Sequence, residues 1–224
     1  MGSKNKLRKF QENNTFKNVI QPDIKEIIRK NYILKGKWRK NIFKNNNPIY
    51  LELGCGKGEY STFLAKKNPN KNFIGIDIKG ARFWHGAKLS QENYLENVCF
   101  LRTKIEYLEK FFESSEVDEI WITFPDPQFK FNRTKHRLTN SNFLKIYKSI
   151  LKSNGVINLK TDSDFMFGYS LGILEGKKLK INYAHHDIYN NESSPEISRQ
   201  VQTYYEKMFL KESKKIKFLS FTFE

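Results

Sequence analysis

From Pro48 onward, short apolar runs alternate with stretches of helical length, and this rhythm limits the chain to one broad architecture. Strands are expected at 49–54, 72–78, 98–103, 119–124 and 156–161, with helices at 60–67, 80–95, 141–151 and 165–175. Runs such as "EIWITF" are apolar at consecutive positions, as strands are when helices cover both faces of a parallel sheet. Strand–helix–strand units in series give that sheet. The tail adds strands at 181–188 and 216–223 with little helix between them, so one of the two is expected to run antiparallel. The expectation is a Rossmann-like α/β fold: a mostly parallel, seven-stranded sheet with helices on both faces and an antiparallel C-terminal strand. Residues 1–47 are basic, Asn-rich and weakly periodic. They read as a flexible arm and a short helix at 24–32 closed by Gly36, ahead of a folded domain at 48–224.

In sheets of this kind ligands lie at the carboxyl ends of the strands. After the first strand comes "LGCGKGEY", with Gly54, Gly56 and Gly58 spaced G-x-G-x-G. A dinucleotide turn has G-x-G-x-x-G and offers its pyrophosphate an uncluttered helix N-terminus. Here Glu52 precedes the turn and Glu59 opens the helix, so an anion is repelled and a cation attracted. S-adenosylmethionine, with a sulfonium, an ammonium and no phosphate, suits such a turn; an ordinary βα turn without a ligand is the plainer reading. Asp77 ends the second strand about twenty residues on, where a carboxylate either accepts both ribose hydroxyls or caps the next helix. Cys55 reads as a packing residue.

The fourth strand runs into "TFPDPQFKFNRTKHRLT" (123–139). Asp126 sits at the sheet mouth between Pro125 and Pro127, which restrict the backbone around it. Such a P-D-P run is similar to the Asp/Asn-Pro-Pro-aromatic tetrad of amino-group methyltransferases. Phe129 and Phe131 can stack on bases, and Lys130, Arg133, Lys135 and Arg137 can hold phosphates. Composition agrees: 40 Lys and Arg against 24 Asp and Glu leave a net charge of +16, which favours a polyanionic partner unless it reflects only a bias toward Lys and Asn.

Other classes fall away. Two cysteines without a C-x-x-C pair make no disulfide framework or zinc site, and the four histidines are scattered or, at His185 and His186, expected on opposite faces of a strand. No metal is expected. There is no run of membrane-spanning length, no apolar signal core, and Lys6 stands where a myristoylation signal has Ser or Thr. A cytoplasmic protein is expected. The D-x-D within "KTDSD" is read as Asp162 at a strand end, with Ser163 or Asp164 capping the next helix.

Taken together, "NPIYLELGCGKGEY", "NFIGIDIKG", "PDPQFKFNRTKHRLT", "LKTDSDFMFGYSL" and "TYYEKMF" resemble the bacterial tRNA (guanine-N7)-methyltransferase family, from about Lys35 to the C-terminus. The resemblance implies a class I methyltransferase with S-adenosylmethionine as donor and tRNA as partner, acting on guanine 46 of the variable loop. It implies Glu52, the three glycines, Asp77, Thr103, Lys104 and Asp126 at the donor, with Asp126 as the active-site acid. Lys130, Asp162, Thr203, Tyr204, Tyr205 and Glu206 fall on substrate-binding positions. Asn132, Arg133, Thr134, Lys135, His136 and Arg137 fall on the RNA-contacting loop. The chain departs from the pattern at Gln128-Phe129 (Trp-Pro in the family), at Thr134 (His), and at Arg102-Thr103-Lys104, where an acid near the adenine is expected. Monomer and homodimer stay equally open.

Overall fold

The computed structural model describes residues 3–223; Met1 and Gly2, the start of the arm and of the segment weighed for myristoylation, lie outside the described residues, as does Glu224. One sheet contains β1 (Val19–Ile20), β2 (Ile49–Leu53), β3 (Asn72–Asp77), β4 (Val98–Arg102), β5 (Val117–Thr123), β6 (Leu151–Thr161), β7 (Lys180–His185) and β8 (Lys217–Thr222). The helices are α1 (Ser3–Glu12), α2 (Ile24–Arg29), α3 (Glu59–Lys67), α4 (Gly80–Glu92), α5 (Leu108–Phe111), α6 (Ser141–Ile150), α7 (Asp164–Gly176), α8 (Glu196–Arg199) and α9 (Tyr204–Lys211). The strand order is β1-β4-β3-β2-β5-β6-β8-β7. Only β8 opposes its neighbours, pairing antiparallel with both β6 and β7. From β2 the chain builds outward through β3 and β4, then returns to β5 and builds the other way. That reversal puts the crevice for a ligand at the carboxyl ends of β2 and β5.

Both faces of the sheet are apolar, as the unbroken runs require. On β5, Ile120 and Ile122 enter one core cluster with Leu51, Leu53 and Phe143. Trp121 points the other way, to Tyr60, Phe73, Phe100 and Phe218. Each such side chain contributes about 1.5–3 kcal/mol on leaving water.

The arm departs from expectation. Its Val19 and Ile20 pair with Phe100 and Leu101, so the sheet has eight strands and not seven. Two residues are too few to show a period, and β1 covers the edge that β4 would otherwise leave open. Helix α1 docks on α4 through the Lys9 ammonium over the Trp84 ring, and just beyond it Asn13 donates to the Gly80 carbonyl at 2.9 Å. Helix α2 stops at Arg29, three residues short of expectation, with Asp23 as its N-cap. Farther on, Trp38 is fully buried, stacks on Phe112 and donates its ring N–H to the Phe111 carbonyl at 2.8 Å. Arg39 pairs with Asp118 on β5 at 2.7 Å. The composition changes at Pro48, but the core does not: Trp38 and Phe43 share the cluster of Leu51 and Ile120.

Two corrections concern the tail. Helices α8 and α9 fill a stretch expected to hold little helix, and a legible signal was present: Thr203 and Glu206 have capping-box spacing, and the Thr203 hydroxyl accepts from the Glu206 N–H at 3.3 Å. Strand β7 ends at His185, so the alternation of faces stops there. The rings of His185 and His186 stack, with centroids 4.8 Å apart. Among the described residues no group of three or more His, Cys, Asp or Glu side chains is placed to hold a metal, and no helix is long and apolar enough to cross a membrane.

Candidate active site

The carboxyl ends of β2, β5 and β6 open into a cleft of about 850 Å³. At one end the glycine turn leaves β2. Gly54 and Gly56 have φ of 76° and 54°, and a side chain on Gly54 would meet nothing within 4 Å, so backbone is exposed where a ligand can approach. Gly58 has another reason to be glycine: a Cβ there would lie 2.5 Å from the Phe100 ring.

Glu52 forms part of the cleft floor and is almost fully buried. One carboxylate oxygen accepts from the Ser61 N–H (3.0 Å) and hydroxyl (2.6 Å), the other from the Thr123 hydroxyl (2.8 Å). Burial outweighs these bonds and pushes its pKa up to about 7, with a smaller push from Asp77. A cation arriving above it would hold the carboxylate ionised. The adjacent Cys55 thiol is driven well above its ordinary range by burial and by the Glu52 and Asp77 carboxylates, which leaves it inert as a nucleophile.

Asp77 does more structural work than expected. One oxygen accepts from the Gly56 N–H at 3.1 Å and the other from the Lys79 N–H at 2.8 Å, so the side chain ties the glycine turn to the start of α4. It is buried, and it lines neither this cleft nor the neighbouring cavity described below. Each oxygen keeps a lone pair. Thr103 is buried and Lys104 lies over the Tyr107 ring; they also line neither space.

At the opposite end the P-D-P segment lines the cleft. Asp126 is exposed, and one of its oxygens accepts from the Gln128 N–H at 3.1 Å. Phe124 (φ 48°) and Gln128 (φ 52°) flank it in the left-handed region. Such residues cost about 1–3 kcal/mol each and persist where the surroundings fix them, often at functional sites. The Phe124 N–H is held by the Lys160 carbonyl at 2.7 Å. Asp162 lines the same end, with the Lys214 ammonium 3.8 Å from its carboxylate. Ser163 caps α7, accepting from the Met166 N–H, while Asp164 pairs with Lys217 at 2.9 Å.

The cation-rich loop coils into a short 3-10 helix, Phe131–His136. Asn132, Arg133 and Lys135 are exposed and Thr134 and His136 half-buried, while Lys130 is exposed outside the cleft lining. Arg137 faces inward. Its guanidinium donates to the Gln128 and Phe129 carbonyls and lies over the Phe165 and Tyr169 rings. It buttresses the loop from beneath, unlike the exposed Arg133 and Lys135.

Helix α9 separates its four expected substrate residues. Thr203 and Tyr205 line the cleft, while the Tyr204 ring receives the Lys57 ammonium and its N–H binds Glu59 at 2.8 Å. Glu206 is fully buried, paired with Lys160 at 2.7 Å and accepting from the Tyr189 hydroxyl at 2.8 Å. Burial raises the Glu206 pKa and lowers that of Lys160; each charge holds the other. Glu206 therefore fixes α9 to β6 and leaves no open surface in this structure. The sequence reading missed Phe209, Phe165, Arg82 and Lys214, all in the cleft lining. Phe165 and Phe209 lay in recognisable motifs, "LKTDSDFMFGYSL" and "TYYEKMF"; Arg82 and Lys214 lay in none.

Residues 46–219 match the family model described as "Putative methyltransferase". A protein of Christiangramia forsetii named tRNA (guanine-N(7)-)-methyltransferase is 60% identical over 221 residues, 99% of each chain. One of the same name from Bacteroides fragilis is 44% identical over 218 residues, covering 97% of this chain and 85% of that one. Among solved structures, the 16S rRNA methyltransferase KamB superposes with a TM-score of 0.63 at 13% identity, over 83% of this chain and 92% of that one. A structure described as an antibiotic-related methyltransferase gives 0.60 at 20% identity, over 86% and 96%. These two resemblances show the fold, that of class I methyltransferases. The relatives that match nearly end to end show more: the chain belongs to the tRNA (guanine-N(7)-)-methyltransferase family.

Proposed function

We propose that the cleft methylates N7 of a guanine in tRNA, at guanine 46 of the variable loop, with S-adenosylmethionine as donor, in the cytoplasm. The observation that carries this reading is the sharing of one cleft by Glu52 with the glycine turn at one end and Asp126 with Asp162 at the other. The residues fit the donor: open backbone at Gly54 and a buried carboxylate at Glu52. Bound there, S-adenosylmethionine supplies an electrophilic methyl group.

The rest is positioning. Guanine N7 carries a free lone pair at neutral pH, so no base is required. Holding N7 in line contributes up to about 7–11 kcal/mol. The oxygen of Asp126 that does not bind Gln128 is available to grip the N1–H and amino edge of guanine and to offset the charge that reaches the ring. Asp162 and Lys214 form a second polar pair at that end, and Phe124, Phe129 and Phe209 give the base apolar surface. Glu52 and Asp77 hold the donor end, Asp77 chiefly by fixing the turn. Arg133 and Lys135, exposed beside the mouth, meet phosphate. The direct test supplies labelled S-adenosylmethionine and unmodified tRNA, then cleaves chemically at N7-methylguanine. Cleavage at position 46 is expected; label elsewhere, or none, overturns the assignment.

A further inference from the structure

A second cavity, about 990 Å³, adjoins the first and shares Gly56, Lys57, Glu59, Arg82 and Tyr205 with it. Its far wall is not part of the methyltransferase sheet and its helices: it is α1, through Leu7 and Phe10. Its near wall is Ile78, the residue directly after Asp77, together with Arg102 at the end of β4. Leu7 and Ile78 are 60% and 44% exposed, two apolar side chains left open to one cavity. The Arg102 guanidinium lies over the Phe10 ring, 4.8 Å from its centroid, and so joins α1 to the strand end where an acid was expected.

We infer that α1 is a wall of the donor site, and that the adenine ring lies against Leu7 and Ile78 while the Arg102–Phe10 stack closes the end of the space. The inference rests on the donor reading above. Three facts select adenine over an RNA phosphate. The cavity is continuous with the glycine turn. Two of its open side chains, Leu7 and Ile78, are apolar, and Ile78 directly follows Asp77. Of the six Lys and Arg side chains that line it, Lys9, Lys57 and Arg102 already lie over aromatic rings. A planar, uncharged base excludes water from two apolar side chains at no cost in desolvated charge. In this arrangement the N-terminal helix is held by the donor and in turn holds it.

The test uses the full chain and S-adenosylhomocysteine, with calorimetry as the readout. Leu7→Ser, at an exposed position, is expected to keep the melting temperature and to weaken binding about tenfold. Ile78→Ser should act similarly, and the double variant should lose less than the product of the two, since both grip one ring. Saturating S-adenosylhomocysteine should also slow trypsin cleavage at Arg8 and Lys9 in the parent protein. Tightness of binding within twofold of the parent in Leu7→Ser, or cleavage of α1 unaffected by ligand, overturns the inference. Weaker tRNA binding with unchanged S-adenosylhomocysteine affinity would assign the cavity to RNA instead. Failure of the parent protein to bind S-adenosylhomocysteine at all would remove the donor reading itself.

Discussion

Replacing Glu206 by Ala separates an anchor from a substrate contact. The variant leaves the Lys160 ammonium fully buried, with the Val201 carbonyl at 3.0 Å as its remaining partner, and strips the Tyr189 hydroxyl of its acceptor. Breaking one side of a buried pair costs about 3–5 kcal/mol. A domain of this size loses roughly 2–4 °C per kcal/mol. The melting temperature, followed by circular dichroism, should therefore fall by roughly 6–20 °C. Replacing both charges by apolar residues, Lys160→Met with Glu206→Leu, should recover most of that loss, because no lone charge stays buried. Filter binding of tRNA well below the melting transition should stay within about threefold of the parent for both variants. A Glu206→Ala protein that melts within about 2 °C of the parent but loses tRNA affinity would refute the anchoring argument.

Three further outcomes are expected. The Glu52 pKa of about 7 lies above its ordinary 4.5, so its contribution to the stability of the ligand-free protein is full below pH 4.5 and lost as pH rises through 7. S-adenosylhomocysteine, with its ammonium, should bind in the opposite sense, roughly tenfold tighter at pH 8 than at pH 6 by calorimetry, with the dependence lost in Glu52→Gln. Arg133→Ala with Lys135→Ala should reduce the slope of log tRNA affinity against log salt by about 1.4–1.8, whereas Arg137→Ala should instead lower the melting temperature; an unchanged slope would mean the two side chains touch no phosphate. Asp126→Asn puts a donor where guanine's N–H groups need an acceptor, and should slow methylation of tRNA roughly 30- to 1000-fold with donor affinity and melting temperature unmoved; a normal rate would leave Asp126 only a turn former.

Much of the architecture was determined by the sequence alone. The apolar runs from Ile49 to Thr161 could be buried on two faces only in a parallel sheet, and the places where those runs break, at Gly54, Asp77, Asp126 and Asp162, are covalently fixed next to strand ends. That is why these acids were legible: a residue just after a core strand lies near the mouth of the sheet whatever the rest of the chain does. Direction and depth were not legible, because they depend on contacts between residues far apart in sequence. Arg137 and Arg133 look alike in one loop, yet one lies over the rings of Phe165 and Tyr169 and the other faces solvent. Glu206 reads as a polar residue on a helix until Lys160, 46 positions away, is seen to bury it. The basic arm gave no period strong enough to place it. Only the pairing of Val19 and Ile20 with β4 brings α1 across the end of the sheet, because an edge strand leaves backbone groups unpaired and the arm is the segment that satisfies them.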